Sequence, residues 1–245
     1  MANAELLKDP VNRQLHASLL NRLGGEIVAG VVPPGTRILA DEIVAQYGVS
    51  RTVVREVVRV LESLGLLAVR RRVGITVLAE DYWNSLDPNV IRWKLAGPQR
   101  FEQLACLSEL RSAIEPLAAR LAAGRASAEQ CGVLTASVIG MSSTARAADT
   151  EAFLAHDANF HRTLLAASGN PLLRAMSEIV VEVLEGRTRH SLMPHIAESE
   201  AIHLHGVVAA SIQAGDAENA EEAMRSIVVE SAMAVKELKE AQKAL

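Results

Sequence analysis

Ser50-Arg51-Thr52-Val53-Val54-Arg55-Glu56 constrains this chain more than any other stretch, because it opens a helix whose two faces have opposite requirements. Val54, Val57, Val58 and Leu61 fall at i, i+3, i+4 and i+7, one apolar stripe that must seat in a core. Arg51, Arg55 and Arg59 fall at i, i+4 and i+8 on another face, which suits water or an anion. Ser50 is a good N-cap, and Gly48-Val49 supplies a tight turn from a short helix spanning Asp41 to Tyr47. Two short helices joined this way, the second with a basic face, make a helix-turn-helix signature.

A recognition helix enters the DNA major groove N-terminus first, where Arg bonds guanine O6 and N7 and Thr meets a phosphate or a thymine methyl. Arg51, Thr52 and Arg55 stand at those positions. An isolated R-x-x-x-R would be a solvated helix face, so the flanks decide. Gly65 ends the helix, Leu66 to Val69 and Ile75 to Leu78 read as two short strands, and Arg70-Arg71-Arg72-Val73-Gly74 joins them as a basic hairpin tip. This second basic element predicts a winged helix. The net charge of −4 argues against nucleic acid until its distribution is read: residues 1–80 carry ten Lys/Arg against eight Asp/Glu, the remainder fifteen against twenty-one. Positive charge is concentrated from Arg51 to Arg72, where the DNA is placed.

Upstream, Leu19 to Ala29 carries a helical apolar pattern, and Val31-Val32-Pro33-Pro34-Gly35-Thr36-Arg37 is an extended, turn-rich connection. Pro34-Gly35-Thr36-Arg37, Gly48-Val49-Ser50-Arg51-Thr52, Val54-Arg55-Glu56 and Leu61-Glu62-x-x-Gly65-Leu66 resemble the N-terminal pattern of the GntR family of bacterial transcription regulators, over residues 19 to 78. The resemblance implies DNA contacts from Ser50, Arg51, Thr52 and Arg55 on the recognition helix and from Arg71, Arg72 and Gly74 in the wing. One departure stands out. Where family members carry Leu-Pro-Ser-Glu-Arg-Glu-Leu, this chain has Ile38-Leu39-Ala40-Asp41-Glu42-Ile43, so acid replaces an Arg that often meets phosphate, and no contact is expected from that helix.

At 245 residues, about half of them apolar, the chain can build two compact domains. Cys106 and Cys131 lack metal-type spacing and lie in apolar helical segments, which predicts buried, reduced thiols. No signal-peptide pattern is present and no apolar run reaches the roughly 20 residues of a membrane span. A cytoplasmic protein without membrane contact is therefore expected. The predicted fold class is mainly α: a winged helix-turn-helix domain over 1–80, a linker with a short helix over 81–98, and an all-helical antiparallel bundle over 99–245. In the linker, Asp87-Pro88 reads as N-cap and N1 of the short helix, and Trp83 and Trp93 are aromatics suited to docking it on a domain, with ligand stacking as the alternative.

Helices are expected over Gln99–Ala123, Ala128–Ser142, Thr150–Ala167, Pro171–Arg189, Glu198–Ala214 and Ala217 to about Lys239, with Gly169, Asn170-Pro171, Gly215 and Asp216 as punctuation. Asp157 and His161 lie at i, i+4, so a carboxylate oxygen and an imidazole nitrogen can meet one cation; alone, such a pair is equally a surface contact or a hydrogen bond. Arg111-x-x-x-Glu115, Asp157-x-x-Phe160-His161, Ser168-Gly169-Asn170-Pro171-Leu172, His205 and Ala214-Gly215-Asp216 resemble the effector (FCD) domain of FadR-type GntR regulators, over about 100 to 240. That resemblance implies a divalent metal such as Zn2+ held by Asp157, His161 and His205, with Ile227 where many members have a further His. Two residues of helix put His203 about 200° from His205, so it is no substitute. A metal-free pocket in which the same side chains bond the effector stays open.

The linker pattern Trp83-Asn84-x-Leu86-Asp87-x-x-Val90-x-x-Trp93, with Glu109-x-Arg111-x-x-x-Glu115-Pro116, is most similar to the sugar-acid regulators of that family. The resemblance implies a carboxylate effector, for which Arg111 can pair a carboxylate while His and Asp bond hydroxyls. The expectation is a homodimeric repressor of a sugar-acid catabolic operon, bound to operator DNA and released by an anionic hydroxy acid. Lactate, an amino acid or a fatty acyl group is the alternative effector, and a metal-dependent enzyme the alternative class. No general base or nucleophile stands out beside the three ligands, which argues against the enzyme.

Overall fold

A computed structural model describes residues 10–70, 74–189 and 198–243. The chain divides into two compact units, Met1–Arg100 and Phe101–Leu245. No described helix is long and apolar enough to cross a membrane.

The first unit contains helix α1 (Pro10–Val28), strand β1 (Arg37–Ile38), helices α2 (Ala40–Tyr47) and α3 (Arg51–Ser63), strands β2 (Leu67–Arg70) and β3 (Gly74–Val77), a 3-10 turn (Glu80–Tyr82) and helix α4 (Pro88–Ala96). α1 starts nine residues before the expected Leu19; Val11 and Leu15 in its first half are exposed, whereas Leu19, Leu23, Ile27 and Val28 enter the core with Leu20 packed against it. There they meet Val54, Val57, Val58 and Leu61, the buried stripe of α3. Ser50 caps α3, its Oγ accepting from Val53 N at 3.3 Å. The sheet order is β1-β3-β2, all antiparallel. β1 is a two-residue strand at the end of what reads as a connection, too short for any alternation to announce it.

At the end of α3 the chain reverses through Gly65 at φ 76°. Gly65 N donates to Glu62 O at 3.0 Å and Leu66 N to Leu61 O at 2.9 Å, a Schellman closure. That bond ties Leu66 to the helix, so β2 starts one residue later than expected. A side chain at 65 has no room either: its Cβ would lie 2.0 Å from Tyr82 O. Gly65→Ala is therefore expected to lower stability by about 2–4 kcal/mol, since backbone strain and a collision with main chain act together. Urea unfolding checks this; a loss under 1 kcal/mol would mean that the 3-10 turn moves aside freely.

The linker docks on this same unit. Trp93 Nε1 donates to Asn21 Oδ1 at 3.2 Å, and its ring covers Gly24, where any Cβ would lie 2.4 Å from ring carbon. Trp83 Nε1 donates to Leu78 O at 3.1 Å, and Lys94 Nζ contacts the Glu80 carboxylate while lying 5.9 Å from the Trp83 ring centroid. Asp87 caps α4 by accepting from Asn89 N at 2.8 Å.

Among the described residues of the second unit the regular elements are all helices: α5 (Arg100–Ala123), α6 (Ala128–Arg146), α7 (Thr150–Ala167), α8 (Pro171–Ala175), α9 (Ser177–Arg189), α10 (Glu198–Ala214) and α11 (Ala217–Lys243). α6 packs on α7 and α10, α7 on α9, and α10 on α11. The expected single helix over Pro171–Arg189 breaks at Met176, where the Ser177 hydroxyl donates to Arg174 O at 2.7 Å and satisfies a carbonyl locally. Both cysteines are free, but Cys106 is exposed and Cys131 only half-buried, against the expectation of buried thiols. Ala118, Ala119 and Ala122 are among the α5 residues that fill the core, and Cys106 lies on the outward face.

Candidate metal centre and nucleic-acid interface

α7 carries Asp157 and His161 inward, and α10 brings His205 to them; all three are buried. His161 Nε2 lies 3.4 Å from Asp157 Oδ1, His205 Nε2 3.3 Å from the same oxygen, and the two Nε2 atoms are 3.4 Å apart. These atoms form a nearly equilateral triangle. A tetrahedral cation with bonds of about 2.0–2.1 Å needs neighbouring ligands about 1.6 bond lengths apart, or about 3.3–3.4 Å. The three atoms thus match one face of a tetrahedral shell, and the fourth position is one that none of these three side chains fills.

The imidazoles are oriented for that use. His205 Nδ1 is 2.6 Å from Ala201 O; a carbonyl only accepts, so Nδ1 carries the proton and Nε2 offers its lone pair. His161 Nδ1 is 2.9 Å from Glu115 Oε2, close enough for an ion pair but not aligned for a hydrogen bond. Carboxylate behind imidazole is the usual outer support of a metal-binding His. Phe160 meets both rings edge-on, with centroids 5.7 Å from His161 and 4.8 Å from His205, and is itself fully buried.

Glu115 carries no expected role from sequence, although its i, i+4 spacing from Arg111 is a signal that could find it. Arg111 Nε donates to Glu115 Oε1 at 2.7 Å and Nη2 to Oε2 at 3.2 Å, so one edge of the guanidinium is spent on this carboxylate. A cation buried to this degree needs a counter-charge. Nη1 remains, 3.4 Å from Ser231 Oγ. Arg111 therefore stands behind His161, through Glu115, instead of presenting an empty two-pronged clamp.

Charge couples these groups. Burial alone would raise Glu115, but the Arg111 and His161 charges outweigh it and hold the carboxyl at about 2. Burial would raise Asp157 as well, but the imidazoles of His161 and His205 beside it outweigh burial and hold it far below the carboxylate range. Burial pushes His161 down, yet Glu115 and Asp157 together lift it to about 9. Ile227 is buried in the bundle core, and His203 is exposed, as its rotation from His205 requires.

On the other unit, Arg51 and Arg55 project from the exposed face of α3, with side chains 78% and 55% exposed. Thr52 is half-buried and Ser50 serves the cap. Gly74 opens β3 opposite Arg70 with φ 98°, a conformation that favours glycine. Arg71 and Arg72 lie outside the described residues.

Residues 15–77 match the gntR family of bacterial regulatory proteins, and residues 106–230 match the FCD domain. The galactonate operon transcriptional repressor of Escherichia coli (strain K12) is 28% identical over 218 residues, covering 88% of this chain and 94% of that protein. The probable D-xylose utilization operon transcriptional repressor of Paenarthrobacter nicotinovorans is 33% identical over 200 residues, 81% of this chain and 79% of that one. A solved structure of Lar, which controls the expression of the Listeria monocytogenes agr system, shares the fold at 15% identity, covering 94% and 98% of the two chains with a TM-score of 0.64. The chain belongs to the gntR family of bacterial regulatory proteins, in its FCD-containing form: a DNA-binding, effector-responsive transcriptional regulator and not an enzyme.

Proposed function

We propose that this regulator represses a sugar-acid catabolic operon, binds a palindromic operator as a homodimer, and is released when an anionic hydroxy acid enters the FCD domain at a divalent metal such as Zn2+. The observation that carries the reading is the buried Asp157–His161–His205 triangle, whose edges suit a cation with a position left open. The relatives named for galactonate and D-xylose operons support sugar chemistry. A bound cation would supply a positive charge on which carboxylate and hydroxyl oxygens of the effector sit. The chain's own residues orient and bury its ligands: Glu115 holds His161, Ala201 O holds His205, and Phe160 packs edge-on against both rings. Ser50, Arg51, Thr52 and Arg55 read the operator, with Gly74, Arg71 and Arg72 in the wing, and a two-fold axis matches half-site symmetry.

Metal analysis of the purified protein, with calorimetry against galactonate, other aldonates, lactate, an amino acid and a fatty acyl compound, tests this. Aldonate binding that disappears with a chelator is the expected result. Equal binding with and without metal would support the metal-free pocket instead. Ile227→His is expected to tighten metal retention by adding a fourth side chain, and to weaken the effector response by closing the exchangeable position. Chelator competition and calorimetry on that variant check both effects.

A further inference from the structure

Arg51 Nη2 lies 3.0 Å from Asp41 Oδ1 and 3.1 Å from Oδ2, a contact between the first turn of α2 and the first residue of α3. The neighbouring acid, Glu42, is committed to its own helix end, its Oε2 accepting from Leu39 N at 2.8 Å. Asp41 turns to Arg51 instead. Both side chains are at least 70% exposed, so the pair adds little to folding stability. Its consequence lies on the DNA face. Asp41 engages a single nitrogen of the guanidinium, and Nε and Nη1 keep their protons for another acceptor.

We propose that Asp41 is a specificity-determining residue: it positions the Arg51 guanidinium and cancels its charge toward phosphate, so that Arg51 donates to a base edge and contributes little to sequence-independent binding. The proposal rests on the reading of α3 as the recognition helix. An unpaired arginine at the mouth of the groove is drawn to any phosphate, because that attraction is long-ranged and blind to sequence. Beside Asp41 the local charge is near zero, so a phosphate contact gains little and releases few counterions. A hydrogen bond to a base edge such as guanine O6 or N7 needs an oriented N–H group more than net charge, and the Nε and Nη1 donors survive the pairing. Overall affinity is lowered and discrimination between sequences is raised.

The test uses the full chain and a duplex selected by the wild-type protein from a random library, beside a scrambled duplex, each titrated from low to physiological salt. Asp41→Asn is expected to bind scrambled DNA several-fold tighter at low salt, with a log–log salt slope steeper by about one. Its operator-to-scrambled ratio should fall about tenfold, with weakened base preference at one position in each half-site. Asp41→Glu should restore most of the ratio. In an Arg51→Ala background the same Asn change should leave the operator-to-scrambled ratio unchanged, because there it only removes a repulsion that acts on every sequence alike. An Asp41→Asn protein with wild-type ratio and slope overturns the proposal, as does an Asn effect on the ratio that persists without Arg51. If Arg51→Ala itself keeps full discrimination, the recognition-helix reading falls, and the Asp41 proposal with it.

Discussion

His205→Ala is expected to lower affinity for a divalent metal by more than about 100-fold, because even outer-shell losses cost 10–100-fold and this removes one of three direct ligands. The remaining pair, Asp157 and His161, cannot close a tetrahedral face. pH dependence gives an independent check. With no metal bound, His161 titrates near 9, above its ordinary 6.5. A raised histidine contributes stability that is full below the unfolded value and is lost as pH climbs through the folded one, so this contribution fades between about 6.5 and 9. A cation needs the same Nε2 lone pair that the proton occupies, so metal affinity rises across that window as the proton leaves. The rise in Tm on adding Zn2+ should accordingly be larger at pH 9 than at pH 6.5 in the wild type, and absent in His205→Ala. An increment that is flat with pH, or that survives in His205→Ala, would place the bound metal elsewhere.

The features legible in sequence were those that repeat a period or mark an end. The α3 stripe, the Ser50 and Asp87 caps, and the bundle helices announce themselves because burial imposes 3.6-residue spacing and chain reversal imposes Gly, Asn or Pro. The exposed first half of α1 buries no apolar stripe that would mark it as helix, and β1, two residues long, is placed by its pairing with β3. The same division runs through the site. Asp157 and His161 are legible as a pair because one helix sets their spacing, whereas the arrival of His205 from α10 became readable only through family resemblance. The link from Arg111 through Glu115 to His161 joins α5 to α7, and no local pattern expresses an interhelical contact. Asp41 shows the reverse case: reading one helix alone, its acid looked like the loss of a contact, yet across the turn it pairs with Arg51.

Arg55→Ala is expected to cost about 1–3 kcal/mol of operator binding, the worth of one good two-pronged base contact, which is a loss of roughly 5- to 150-fold. The fold should be untouched, since Val54 and Val58 seat the helix and the Arg55 side chain is 55% exposed. Binding to scrambled DNA should fall far less, because its phosphate contacts are shared among many cations. The wing offers the opposite test: reversing the charge at Arg71 and Arg72 should weaken binding to every sequence and flatten its salt dependence, while leaving preference among sequences nearly unchanged. Gel-shift titrations of both variants across salt separate the two roles. If Arg55→Ala keeps wild-type affinity for the selected operator, Arg55 does not touch bases. If the wing variant loses discrimination at constant salt slope, base reading belongs to the hairpin, and the exposed arginines of α3 become the phosphate anchors.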